Sequence, residues 1–206
     1  MKTLLLTTAL LGGGVAAHAQ SLILPEVFAV SGVAANDTLN VRQAPSGRSA
    51  DIGDIFPNQL VEVIALNENQ QWGQIIWQEG NGWISMQYLA PIERPHMLDS
   101  VMPLGISCSG NEPFWSAVIQ PNQMLTFTDY SAANQTAVAQ PIRQSTSAIG
   151  MQPFSFAFVA GSFTGLLERA QCSDGMSDIS YGWQLRLLNR SSAGLQLRIG
   201  CCKAAI

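Results

Sequence analysis

Short apolar alternations with a period of two run through this chain from Val27 almost to its last residue. Leu39 and Val41 alternate ahead of Pro45-Ser46-Gly47, and Val61 and Val63 alternate again. Ile75-Ile76-Trp77 and Trp83-Ile84 flank Glu79-Gly80-Asn81-Gly82, which reads as a hairpin connection. Further on, Trp115, Ala117 and Ile119 alternate, then Phe154, Phe156 and Phe158, then Trp183, Leu185 and Leu187, then Leu195, Leu197 and Ile199. One apolar face at this period predicts antiparallel strands with those residues turned to a core. Met124 to Tyr130 and Phe163 to Glu168 add further strands, and Pro121-Asn122, Gly161-Ser162 and Ser191 to Gly194 supply turns. No window holds a helical apolar period. The polar stretch from Ala132 to Gly150 predicts a long loop. The expected fold class is all-β.

The strands fall into two segments, residues 27–92 and 106–206. Between them, residues 93–105 carry Pro95 and Pro103 without periodicity, which predicts a semi-extended linker. The first segment is small enough to bury only about 60% of its unfolded surface, so a small barrel must spend most of its aromatics on its own core. The second has the strand count of an antiparallel barrel or sandwich of about six to eight strands.

Residues 1–19 read as a signal peptide: Lys2, an apolar run from Leu4 to Ala17, then Ala17-His18-Ala19 before Gln20. That run, broken by Gly12 to Gly14, is too short for a bilayer span, which needs about 20 apolar residues. The expectation is a periplasmic or secreted protein with no membrane insertion after cleavage. Removing Lys2 with this segment leaves nine basic against fourteen acidic residues, a net charge of −5. A chain that neutralises nucleic-acid phosphates needs the opposite balance, and so does one that docks on anionic lipid. Only 12% of residues are charged, so the surface is rich in Gln, Asn, Ser and Thr, which hydrogen-bond to sugars and peptides.

All four cysteines, Cys108, Cys172, Cys201 and Cys202, lie in the second segment. An even number in an exported chain predicts two disulfides, and the vicinal pair is the strained choice. Extending the alternation from Leu197 and Ile199 puts Cys201 on the core face and Cys202 on the other, so they reach different partners. The favoured arrangement is Cys172–Cys201 with Cys108–Cys202, and the swapped arrangement stays open. There is no CxxC motif, and adjacent thiolates do not readily chelate one tetrahedral zinc; no metal and no cofactor is expected.

Catalytic candidates are few. His18 leaves with the signal, so only His96, in the linker, remains, and a nucleophile–histidine mechanism needs a histidine held on a rigid scaffold. Asp174 and Asp178 in CSDGMSD, with Glu112, could serve a carboxylate hydrolase. The simpler reading is that Asp174-Gly175 makes a turn and Ser177 or Asp178 caps a short helical turn. Calcium binding there lacks the EF-hand pattern. The expectation is no catalytic residue and no enzyme.

In order, DTLNVRQAPSG (Asp37 to Gly47), Ile52-Gly53, Val61-Glu62-Val63, Trp72 with Ile75, Gly82-Trp83-Ile84 and Tyr88-Leu89 form a set that resembles the bacterial SH3-like domain over about Val30 to Pro91. The resemblance implies a five- to seven-stranded barrel that binds peptidoglycan stems or protein partners. Phe56-Pro57-Asn58-Gln59 departs from it, since a glycine commonly precedes the next strand there. Trp72 and Trp83 stand where such domains keep partly exposed aromatics, whereas Trp77 shares parity with Ile75 and belongs to the core. With Arg42 and Tyr88 they make the candidate ligand-binding face.

The second segment is similar to a group of bacterial envelope domains carrying NEPFW, CSDGMSD and a terminal Gly-Cys, here Asn111 to Trp115, Cys172 to Asp178 and Gly200-Cys201. These motifs are expected to converge on a disulfide and an aromatic core; the resemblance implies no activity. The leading expectation is an exported, non-enzymatic binding protein whose partner is peptidoglycan or an envelope protein. The alternatives are an inhibitor or assembly factor acting through the second domain, and the carboxylate hydrolase.

Overall fold

The alternating segments become strands because their apolar positions can all be buried on one side while backbone groups pair laterally. The computed structural model describes residues 22–98, 100–131, 136–148, 155–192 and 194–206. The signal-peptide reading of residues 1–19 and the position of Phe154 lie outside them.

The N-terminal body is an antiparallel sheet of seven strands: β1 (Glu26–Val30), β2 (Leu39–Arg42), β3 (Asp51–Ile55), β4 (Leu60–Leu66), β5 (Trp72–Trp77), β6 (Gly80–Ser85) and β7 (Leu89–Pro91). Their order is β3-β2-β6-β5-β4-β1-β7. Val30, Leu39, Val41, Val63, Ile75 and Ile84 fill its core. Trp77 packs on that core, and its indole N–H donates to the Ile52 carbonyl at 3.1 Å. The β5–β6 connection is tighter than the sequence suggests. Trp77 pairs with Gly80, so Gln78 (φ 52°) and Glu79 alone make the turn, and Gly80 to Gly82 belong to β6. At the departure from the SH3-like pattern, Asn58 adopts φ 66° in place of a glycine, which asparagine tolerates better than most residues.

The C-terminal body is a closed barrel of β8 (Ile106–Asn111), β9 (Phe114–Ile119), β10 (Met124–Asp129), β11 (Thr136–Ala148), β12 (Ser155–Ala160), β13 (Phe163–Ser173), β14 (Ser180–Ser191) and β15 (Gly194–Ala204). Each strand pairs with its sequence neighbours, and β15 closes on β8. Trp115, Phe127, Phe156, Phe158, Phe163 and Trp183 lie in its core; an eight-stranded barrel is about wide enough for side chains to fill it.

Three expectations are corrected here. Most of the predicted loop from Ala132 to Gly150 is β11, paired to β10 and β12 on its two sides; the ladders on both edges hold it, together with Ile142 in the core and Val138 packed against it. The proline-rich segment is no free linker. It folds back at a His96–Pro103 bridge, and Met97, Met102 and Leu104 enter the barrel core. Finally, β15 has the opposite parity. Leu195, Leu197 and Ile199 face outward, 61%, 60% and 51% exposed, while Arg198 lies over Phe127 and ion-pairs with Asp129.

Parity is an all-or-none choice along a strand, and the end of β15 sets it. Cys202 lies in the core, bonded to Cys108, its direct cross-strand partner on β8. Cys201 lies on the other side of the strand, bonded to Cys172. The disulfides therefore join Cys108 to Cys202 and Cys172 to Cys201, with the two faces exchanged relative to the sequence reading.

Candidate functional site

The outer side of the N-terminal sheet presents one continuous row. Asp51 on β3 is the Cα partner of Arg42 on β2, Arg42 of Trp83 on β6, Trp83 of Gln74 on β5, and Gln74 of Ala65 on β4. Cross-strand partners share a face, so these five positions project together. Trp72, two residues from Gln74, extends the row beside Ser85. Trp72 and Trp83 are half-buried: their edges are supported and their remaining surface is open.

Arg42 is anchored by donating to the Ser49 carbonyl at 3.2 Å and by Asp51 at 3.6 Å. Asp51 also accepts from the Asn40 amide, and that hydrogen bond, aided by the Gly53 N–H and the charge of Arg42, holds its carboxyl below the usual range although burial opposes the shift. The structure thus brings Arg42, Trp72 and Trp83 onto one surface. Tyr88, the fourth predicted member, stands apart from that row. It ends a short 3-10 turn (Met86–Tyr88) and packs on the core cluster beside Gly32.

What the sequence did not reveal is that this sheet is docked on the barrel through buried polar contacts. Glu62, 7% exposed, accepts the Trp183 indole N–H and the Ala204 backbone N–H, both at 2.9 Å. Burial pushes its carboxyl above the usual range; those two hydrogen bonds and the Arg94 charge oppose the shift. Asn81 accepts from the Ser180 N–H at 2.7 Å and donates to the Ser180 carbonyl at 3.0 Å, imitating a strand bridge. Arg169 of β13 stacks 4.8 Å over Trp183 and donates to the carbonyls of Ile23 and Pro25 at 2.7 and 3.0 Å. Gly182 lies under Pro25, where a Cβ would come within 2.2 Å of the proline ring. In the sequence Glu62 looked like an outward polar position of an ordinary strand, and nothing local tied it to Trp183.

Two recesses flank the junction. The larger, about 670 Å³, lies between Leu60, Ile76 and Trp77 of the sheet and Lys203 and Ile206 of the barrel chain. The smaller, about 200 Å³, lies between Pro25, Ile64 and Gln74 and the Arg169, Gln171 and Tyr181 side of the barrel. Gln74 therefore belongs both to the row containing Trp83 and to the smaller recess.

Residues from three separate segments of the barrel chain also meet. The side chain of Asn111 donates to the Asp174 carbonyl at 2.9 Å, and Trp115 lies against Gly110 and Gly200, where a Cβ would fall 2.2 and 2.7 Å from the indole. Asp174 accepts from the Met176 and Ser177 backbone N–H groups and the Ser177 hydroxyl at 2.9–3.0 Å. Those backbone bonds hold its carboxyl below the usual range. Asp174 thus accepts two of the segment's backbone N–H groups, Ser177 accepts the Ile179 N–H at 3.3 Å, and the segment forms no helical turn. Glu112 and Asp178 are exposed. Among the described residues no group of His, Cys, Asp and Glu is arranged to hold a metal ion, and no helix is long and apolar enough to cross a membrane.

No curated protein and no solved structure matches the chain. Residues 37–90, which hold β2 to β6 and therefore Arg42, Trp72, Gln74 and Trp83, match the bacterial SH3 domain family.

Proposed function

We propose that this protein is an exported, non-enzymatic binding protein that holds peptidoglycan on the outer row of its SH3 domain. The observation that carries the reading is the alignment of Arg42, Trp83 and Gln74 on three adjacent strands, with Trp72 beside them. Partly exposed indoles offer flat apolar area for the faces of sugar rings or peptide side chains. The guanidinium and the amide at the two ends supply directional hydrogen bonds. At about 4.8 Å per strand, Arg42 to Gln74 spans about 10 Å, the length of a few peptide or sugar units. Two disulfides suit an oxidising compartment.

Asp174 is not set up as the acid of a hydrolase. A glycosidase acid needs its proton held at neutral pH, and Asp174 is stabilised as the carboxylate by the turn that it caps.

The test is co-sedimentation of the purified chain with wall sacculi. Trp83→Ala and Arg42→Ala are each expected to weaken retention about tenfold or more, the scale of losing a stacking or charge-assisted contact. Absence of retention by the unaltered chain, or retention indifferent to both substitutions, would refute the reading.

A further inference from the structure

The larger recess at the domain junction is apolar along most of its walls and polar at one spot. Leu60, Ile76 and Trp77 wall it on the sheet side, Ala205 and Ile206 on the barrel side. Leu60 and Ile206 are 42% and 62% exposed, so a ligand can reach these walls. The carboxylate and carboxamide along the recess are already engaged. Both oxygens of Glu62 accept, from Trp183 and Ala204, and the side-chain oxygen of Gln59 accepts from the Phe56 N–H. The polar spot is a pair on adjacent strands. Lys203 of β15 is the Cα partner of Ser107 of β8, and both line the recess, so the ammonium and the hydroxyl share one face. Lys203 is exposed and has no ion-pair partner among the described residues.

We infer that this recess binds an aliphatic carboxylate, a fatty acid, with its head on Lys203 and Ser107 and its hydrocarbon chain along Leu60, Ile76 and Trp77. Charge selects the head. Lys203 is an unpaired cation, whereas Glu62, the other charged residue along the recess, is buried, fully hydrogen-bonded and opposed by the charge of Arg94. The engaged acceptors select the tail. A peptide brings a row of N–H groups, each costly to bury unpaired, and a methylene chain brings none. Size agrees: about 670 Å³ lies within the range of about 300–1,000 Å³ usual for small-molecule sites, which are mostly apolar, carry a few polar groups and favour domain interfaces. None of Arg42, Trp72, Gln74 and Trp83 lines this recess, so the inference stands apart from the wall-binding reading.

The test is calorimetric titration of the full chain with octanoate, decanoate and dodecanoate, and with decan-1-ol as the neutral counterpart of decanoate. Affinity is expected to rise about fourfold per added methylene, the gain from removing one CH₂ group from water. Lys203→Gln is expected to weaken decanoate about tenfold, the scale of a charge-assisted contact, and to leave decan-1-ol unchanged. Leu60→Asn, which removes apolar wall without adding charge, is expected to weaken both several-fold. Both positions are exposed, so the urea midpoints and the retention on sacculi are expected to stay as in the unaltered chain. Absence of binding by all three alkanoates, affinity that is flat along the series, or a Lys203→Gln variant that treats decanoate and decan-1-ol alike overturns the inference, whatever the sacculi show.

Discussion

The two bodies of this protein use tryptophan in opposite ways. In the barrel, Trp115 and Trp183 are 2% and 0% exposed and belong to the core. In the N-terminal body, Trp72 and Trp83 remain half-buried on the outer row, and Trp77 packs at the core's edge. A closed eight-stranded barrel has an interior for large rings to fill. A sheet of so few residues runs out of interior, and what it cannot bury it presents. The same residue type is therefore structural in one body and available to a ligand in the other.

The sharpest way to break that contrast is to delete one indole from each body. Trp183→Ala is expected to destabilise by about 3–5 kcal/mol from the lost packing, and it also removes the donor to Glu62 and the ring beneath Arg169. Urea melts read the loss directly. Trp83→Ala should cost about 1 kcal/mol or less while removing most of the wall binding. Equal destabilisation by both would erase the distinction.

The disulfides belong to the barrel alone and grade it internally. Cys108–Cys202 closes a separation of 94 residues and Cys172–Cys201 one of 29. Loop-closure entropy assigns them about 4.5 and 3.5 kcal/mol. Replacing both cysteines of the first pair by alanine should lower the barrel's unfolding midpoint more than replacing the second pair, in the same urea melts. The reverse order would show that strand packing, not chain constraint, dominates.

The smallest expected effect is a pH dependence at the junction. Burial raises the carboxyl of Glu62 above its unfolded value of 4.5, so the docked state binds its proton more readily than the unfolded chain. Stability then falls as pH rises from about 4.5 through the folded value, and the penalty is complete above it. Asp51, Asp129 and Asp174 are shifted downward. Their stabilisation is present above their unfolded value of 3.8 and is lost as pH falls through their folded values. The two windows do not overlap. Thermal melts of the native chain and of Glu62→Gln between pH 4 and 8 should differ in slope; identical slopes would remove Glu62 as the titrating group.

The N-terminal body was the more legible because its signals are local. Turn residues punctuate its strands, and Val61-Glu62-Val63 or Gly82-Trp83-Ile84 announce which positions point inward. Arg42, Trp72 and Trp83 are grouped by their strand positions, whereas Tyr88, grouped with them on the SH3-like pattern, packs on the core cluster. The barrel was less legible because closure overrides local pattern. Leu195, Leu197 and Ile199 read as a core face, but Cys202 and Arg198 occupy the inside. β11 is held by ladders on both sides with little apolar alternation to betray it. The junction was invisible: Gln74 and Arg169 lie far apart in the chain, and each looks like an ordinary polar residue of a strand.

Whether the outer row of the N-terminal sheet or the barrel core meets the ligand can be read from the five indole N–H resonances during titration with solubilised wall fragments. The account predicts saturable shifts for Trp72 and Trp83 and none for Trp115. Shifts confined to Trp115 and Trp183, or no shift at either Trp72 or Trp83 under saturating conditions, would contradict it.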